Sequence, residues 1–121
     1  MKTREQIEAE ILAIQQANQA RREKLMALER AERGGITVGG ITLAAADRDR
    51  SLFAQGLLLL REAENLQPDE SAKTAFRASM QTIADASGAT HTLSVTDLRA
   101  LLVAYGAAYQ ALWTAAAQPA D

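Results

Sequence analysis

Hydrophobic positions in the first quarter of the chain recur at alternating steps of four and three. Ile7, Ile11 and Ile14 begin the line, Asn18 and Arg21 continue it, and Leu25 and Leu28 complete it. That is a coiled-coil seam, with Ile11, Asn18 and Leu25 at a and Ile7, Ile14, Arg21 and Leu28 at d. Thr3 followed by Gln6 forms a capping-box start, and Gly34–Gly35 supply the stop. The spacing predicts one long helix over 3–33, an oligomerisation or docking arm. A polar residue at an a position lowers stability but sets register and partner number, and Lys24 at g attracts Glu29 at the next e in a parallel assembly. The alternative is an amphipathic helix packed on its own domain. In that case Leu12 and Met26 widen the stripe, and the Arg21 stem lies along the apolar surface with its head in water.

The period then changes from helical to alternating. Ile36 and Val38, then Ile41 and Leu43, alternate with Thr37 and Thr42 around Gly39–Gly40, which predicts a β-hairpin with a two-residue turn. Asp47 is expected to cap a helix over 48–66, with Leu52, Phe53, Leu57, Leu60 and Leu66 on one face. The run Leu57–Leu60 adds a second apolar face, so this helix is expected to be buried on more than one side. Pro68 and Asp69 end it. Residues 67–79 read as either a loop or a short amphipathic turn anchored by Ala75, Phe76 and Met80. Next, "MQTIADASGATHTL" predicts a second hairpin with a longer loop at Asp85–Gly88. Ser94 or Thr96 caps a last helix, Ser94 with Asp97 as a capping box. Leu98, Leu101, Leu102, Tyr105, Tyr109, Leu112 and Trp113 form its stripe, and it fades in "AAAQPAD".

Hairpin followed by helix is thus spelled twice. Thr42, Leu43, Asp47, Leu52, Ala54 and Gly56 align without gaps with Thr92, Leu93, Asp97, Leu102, Ala104 and Gly106. The expectation is an α+β fold with a coiled-coil-like arm at 1–33, a head domain at 34–117 and a tail at 118–121. In the head, two β-hairpin–helix units form one small four-stranded antiparallel sheet packed by two helices. A mid-helix glycine costs about 1 kcal/mol relative to alanine. Gly56 and Gly106 are therefore expected at close helix approaches, with Tyr105, Tyr109 and Trp113 packing the last helix.

Composition narrows the chemistry. Thirteen basic and fifteen acidic side chains are interspersed along the 121 residues, so no basic surface is available to track nucleic-acid phosphates. Arg21–Arg22 and Arg48 with Arg50 read as a solvated face. The absence of cysteine excludes disulfides and thiolate metal sites. No secretory leader and no membrane span are expected, the run "GLLLL" being far too short for one. His91 stands alone, without companion ligands at metal spacing. The carboxylates Asp47, Asp49, Glu62, Glu64, Asp69 and Glu70 are accounted for by caps and solvent. "GGITVGG" precedes strands rather than a helix and lacks the Lys-Ser/Thr of a phosphate loop. The expectation is a non-enzymatic protein without metal or cofactor.

The combination of "GGITVGGITLAAADRDRSL", a helix and "MQTIADASGATHTLSVTDLRALLVAYGAAYQALW" resembles a domain-of-unknown-function family found in bacteriophage and prophage tail proteins. The likeness covers roughly 34–115. This chain carries Gln81, Thr82 and Ile83 where members often have an aromatic in the third strand, and its preceding segment is longer. The resemblance implies a structural part of a phage tail, near the tip, baseplate or fibre attachment. It also implies a location in the virion after synthesis in the host cytoplasm, and partners among other tail proteins. Isoleucine at seam positions favours more than two strands and Asn18 favours two, the balance leaning to a parallel homotrimer. An assembly chaperone absent from the finished particle, or a bacterial adaptor module, are the competing functions.

Overall fold

In the computed structural model, which describes residues 1–117, Thr3 Oγ1 accepts from the Gln6 amide at 3.2 Å, and the Gln6 side chain accepts from the Thr3 amide at 2.9 Å. This capping box starts helix α1 (Arg4–Gly34), 31 residues and so about 45 Å long. Its end is equally determined. Gly35 takes φ +91° and donates to the Ala31 carbonyl at 2.8 Å, and a Cβ there would lie 2.6 Å from the Leu43 carbonyl oxygen. Only glycine lets the chain turn so close to the strand that follows.

Strands β1 (Ile36–Val38) and β2 (Ile41–Leu43) pair antiparallel, Ile36 opposite Leu43, across Gly39 and Gly40, both at positive φ as a primed turn needs. Helix α2 (Asp47–Asn65) begins one residue earlier than expected. Ala46 occupies the capping position without a side-chain bond. Asp47 is the first helical residue, and its Oδ1 accepts from Arg50 Nη2 at 3.1 Å instead of capping. It still places negative charge at the positive end of the helix.

The undecided segment resolves as helix α3 (Glu70–Ala78), N-capped by Asp69, whose Oδ1 accepts from the Ala72 amide at 2.8 Å. Strands β3 (Met80–Ala84) and β4 (Thr90–Ser94) form the second hairpin, with Ile83 opposite His91. Helix α4 (Val95–Ala117) follows directly, Ser94 Oγ accepting from the Asp97 amide at 3.1 Å. The tail expected at 118–121 lies outside the described residues.

The fold is therefore α+β, with four helices and two small antiparallel sheets among the described residues. The hairpins do not merge into the expected four-stranded sheet. The backbone bond joining them runs from the Ala86 amide to the Thr42 carbonyl, 2.8 Å, and belongs to the loop of the second hairpin rather than to its strands. Asp85 holds that loop in a tight turn by accepting from the Ser87 and Ala89 amides.

Both hairpins lean instead on α4. Leu98, Leu101, Leu102 and Tyr105 from α4, with Ile36, Leu43 and Ala45, make the core, and Leu43 and Val95 are fully buried. Tyr105 packs edge-on against Phe53 at 5.1 Å, and its hydroxyl donates to the Ala44 carbonyl at 2.8 Å. Burial raises its phenol pKa.

Helix α2 is covered on one side only. Leu52, Leu58, Leu59 and Leu66 are all more than half exposed, against the expectation of burial on two sides, because the helix packs mainly on α4 and α3. Neither Gly56 nor Gly106 sits at a close approach: a Cβ on either would meet nothing within 4 Å among the described residues. The sequence reading found no membrane span, yet α4 is long and apolar enough to cross one by length and hydropathy alone. Its many alanines produce that hydropathy, and in the fold its inner face forms the core.

Candidate assembly interface

Helix α1 presents two different apolar faces. Ala27, Leu28 and Ala31 are half-buried, Ala31 against the core cluster, and with Ala17 and Lys24 they mark the side toward α4. Alanines there let the two backbones approach closely. At 100° per residue the seam lies roughly a quarter-turn further round. Ile7, Ile11, Ile14 and Leu25 on that side are 46, 50, 60 and 43 % exposed, and Asn18 and Arg21 are exposed with them. Leu28 alone of the seven is drawn partly under. The domain thus uses the small-residue face of the helix and leaves the large aliphatic one to solvent.

Helix α4 runs back along the C-terminal half of α1. Tyr109 Oη donates to Glu32 Oε1 at 3.0 Å, and Glu32 continues the seam line seven residues beyond Leu25. Arg50 of α2 lies over the Tyr109 ring at 3.8 Å, with Nη1 3.6 Å from the same Glu32. The guanidinium, expected on a solvated face, is one-fifth exposed and locks α1, α2 and α4 together. Beyond that junction, among the described residues, α1 and α4 continue. Trp113, expected to pack the last helix, is instead 51 % exposed. It lies one turn past Tyr109 on α4.

Two polar clusters elsewhere have structural explanations. Glu64 Oε1 accepts from Arg77 Nε at 2.6 Å and from Arg99 Nη1 at 3.4 Å, joining α2, α3 and α4. The Arg77 bond, with the charge of Arg99, lowers its pKa despite partial desolvation. It is not the solvent carboxylate the sequence suggested. His91 Nε2 lies 2.8 Å from Asp85 Oδ2, and Ser87 Oγ donates to Asp85 Oδ1 at 2.6 Å. Those bonds, Ser87 first and His91 next, lower the Asp85 pKa to about 2. In this trio the serine meets the aspartate and not the histidine, so the imidazole is not placed to take the hydroxyl proton. Among the described residues no three of His, Asp and Glu converge as metal ligands.

The exposed surface is large for the mass. The 13.0 kDa chain exposes 8443 Å², whereas a folded monomer of that mass exposes about 6,300 Å². Part of the excess is the projecting half of α1, and part is the open side of α2. Sequence spacing located the seam. It missed the Arg50–Tyr109–Glu32 junction, whose members are 18 to 77 residues apart and whose only sequence signal was a carboxylate on the seam's own line.

Comparison with protein-family models, with curated proteins and with solved structures found no match.

Proposed function

We propose that this chain is a non-enzymatic assembly component that self-associates through its N-terminal arm. Its setting, on this reading, is the tail of a bacteriophage, as a structural part of the tip, baseplate or fibre attachment, with other tail proteins as further partners. The observation that carries self-association is the Ile7–Leu28 seam, left exposed by a domain that packs the adjacent face of the same helix. Five large aliphatic side chains in line over about six turns are a binding surface rather than a solvated one. The tail setting is supported by the resemblance of 34–115 alone.

Light scattering on the intact protein, and on Ile11→Glu with Leu25→Glu, tests the first part. Both side chains are exposed within the protomer, so the double variant should stay folded and fall to the mass of one chain. An unchanged oligomer would remove the arm from the argument. Co-sedimentation with mature particles tests the second part. A protein present during assembly and missing from the particle would be a chaperone.

A further inference from the structure

The seam is not uniform along its length, and its asymmetry bears on how two copies would meet. Ile7, Ile11 and Ile14 lie on the half of α1 that projects beyond the domain. Leu25 and Leu28 lie on the half backed by α4, and the two polar members, Asn18 and Arg21, stand between. Resting on the self-association proposed above, the geometry points to an antiparallel two-fold pairing of two copies, in which Trp113 of each packs on Ile11 and Ile14 of the other's arm.

Pairing antiparallel about the point between residues 19 and 20 matches the seam by character from Ile11 to Leu28, and leaves Ile7 opposite the second copy's Glu32. Ile11 meets the second copy's Leu28, Ile14 meets its Leu25, and Asn18 meets its Arg21, twice over. The Asn18 side-chain carbonyl can accept from that guanidinium. A parallel pairing in the same register places Arg21 on Arg21 inside the seam, like charge on like charge.

The same operation answers the exposure of Trp113. Moving one turn along α4 from Tyr109 to Trp113 moves one turn back along α1 from Glu32 to Leu28, because the helices run antiparallel. The level of Leu28 and Leu25 is where the second copy's Ile11 and Ile14 arrive. The first turn of helix α2, at Arg50, lies at the level of Tyr109 and Glu32, and the helix runs from there toward Arg99, away from the level of Leu25 and Leu28. The quarter-turn between the α4 side of α1 and its seam is the spacing of neighbours in a helix bundle, so the arriving arm takes the next corner. The projecting half of α1 carries part of the excess surface of about 2,000 Å² over a compact monomer, against the roughly 800 Å² per partner that a stable dimer buries.

The chain has no cysteine, so introduced ones report pairing without background. Ile14→Cys and Leu25→Cys would be oxidised separately and mixed, with light scattering on the unmodified protein alongside. Two copies of the same variant would hold their thiols about 16 Å apart in the antiparallel pair, from eleven residues of helical rise, beyond the roughly 7 Å a disulfide spans. The expected result is a two-chain mass and a cross-linked dimer only in the mixture. Leu25→Cys cross-linking to itself, or a three-chain mass, would overturn the antiparallel pairing and leave self-association standing. A two-chain mass with no cross-link in the mixture would overturn it as well. A one-chain mass would overturn both. Trp113, the only tryptophan, should also shift its emission to the blue with rising concentration, and Ile11→Glu should abolish that shift; no shift in the unmodified protein removes Trp113 from the contact.

Discussion

The hydroxyl of Tyr109 lies 3.0 Å from Glu32 Oε1, and among the described residues this contact is the last polar tie between the head and the arm. Arg50 closes the junction from the third helix, over the ring and beside the carboxylate. Tyr109→Phe keeps the ring under the guanidinium and removes only the hydrogen bond. It should lower unfolding free energy by about 1 kcal/mol, read in urea titrations. Glu32→Ala removes partners of both Tyr109 and Arg50 and should cost more than Tyr109→Phe in the same titration.

Three glycines should respond in opposite directions to alanine. Gly56 and Gly106 sit mid-helix with open space at the Cβ position, so Gly56→Ala and Gly106→Ala should each stabilise by about 0.5–1 kcal/mol. Gly35→Ala forces a side chain into φ +91° and against the Leu43 carbonyl, and should destabilise by about 1–3 kcal/mol. Thermal melts of the three variants check the signs.

Asp85 makes the second hairpin sensitive to acid. Its folded pKa, about 2, lies below the ordinary 3.8, so its contribution is complete above pH 3.8 and is lost as pH falls toward 2. Asp85→Asn should be less stable than the parent at pH 7, and the gap should shrink progressively between pH 4 and pH 2. A gap independent of pH would mean that the carboxylate's charge contributes nothing to the turn.

Leucines of equal hydrophobicity should differ widely in cost. Leu43 is fully buried at the centre of the core, and Leu43→Ala should cost about 2–5 kcal/mol. Leu59 is 68 % exposed, and Leu59→Ala should change stability by less than about 0.5 kcal/mol. Denaturant midpoints of the two variants measure the difference. A large loss at Leu59 would show that the open side of α2 is covered in solution.

Helix boundaries and hairpin turns were legible because their signals are local. Thr3 with Gln6, Gly34–Gly35 and Gly39–Gly40 each act within four residues, on hydrogen bonds and backbone angles that hardly depend on the rest of the chain. The inner stripe of α4 from Leu98 to Tyr105 was legible for the same reason, since a 3.6-residue period survives whatever the helix packs against. Helix α3 was not, because Asp69 after Pro68 reads equally as the end of one helix and the cap of another.

Local signals therefore specify every element but α3, their order, and the aliphatic seam of the arm. The tertiary structure decided which apolar face of the arm the domain uses. Alanine spacing let α4 settle against Ala27 and Ala31 and left Ile7–Leu25 open, a choice between two apolar faces that periodicity cannot rank. It also decided that the hairpins stay apart, that Gly56 and Gly106 mark no crossing, and that Arg50 leaves solvent for Tyr109 and Glu32. Each of these depends on groups far apart in the chain meeting in space, and the energy of such meetings is written in no local run of residues.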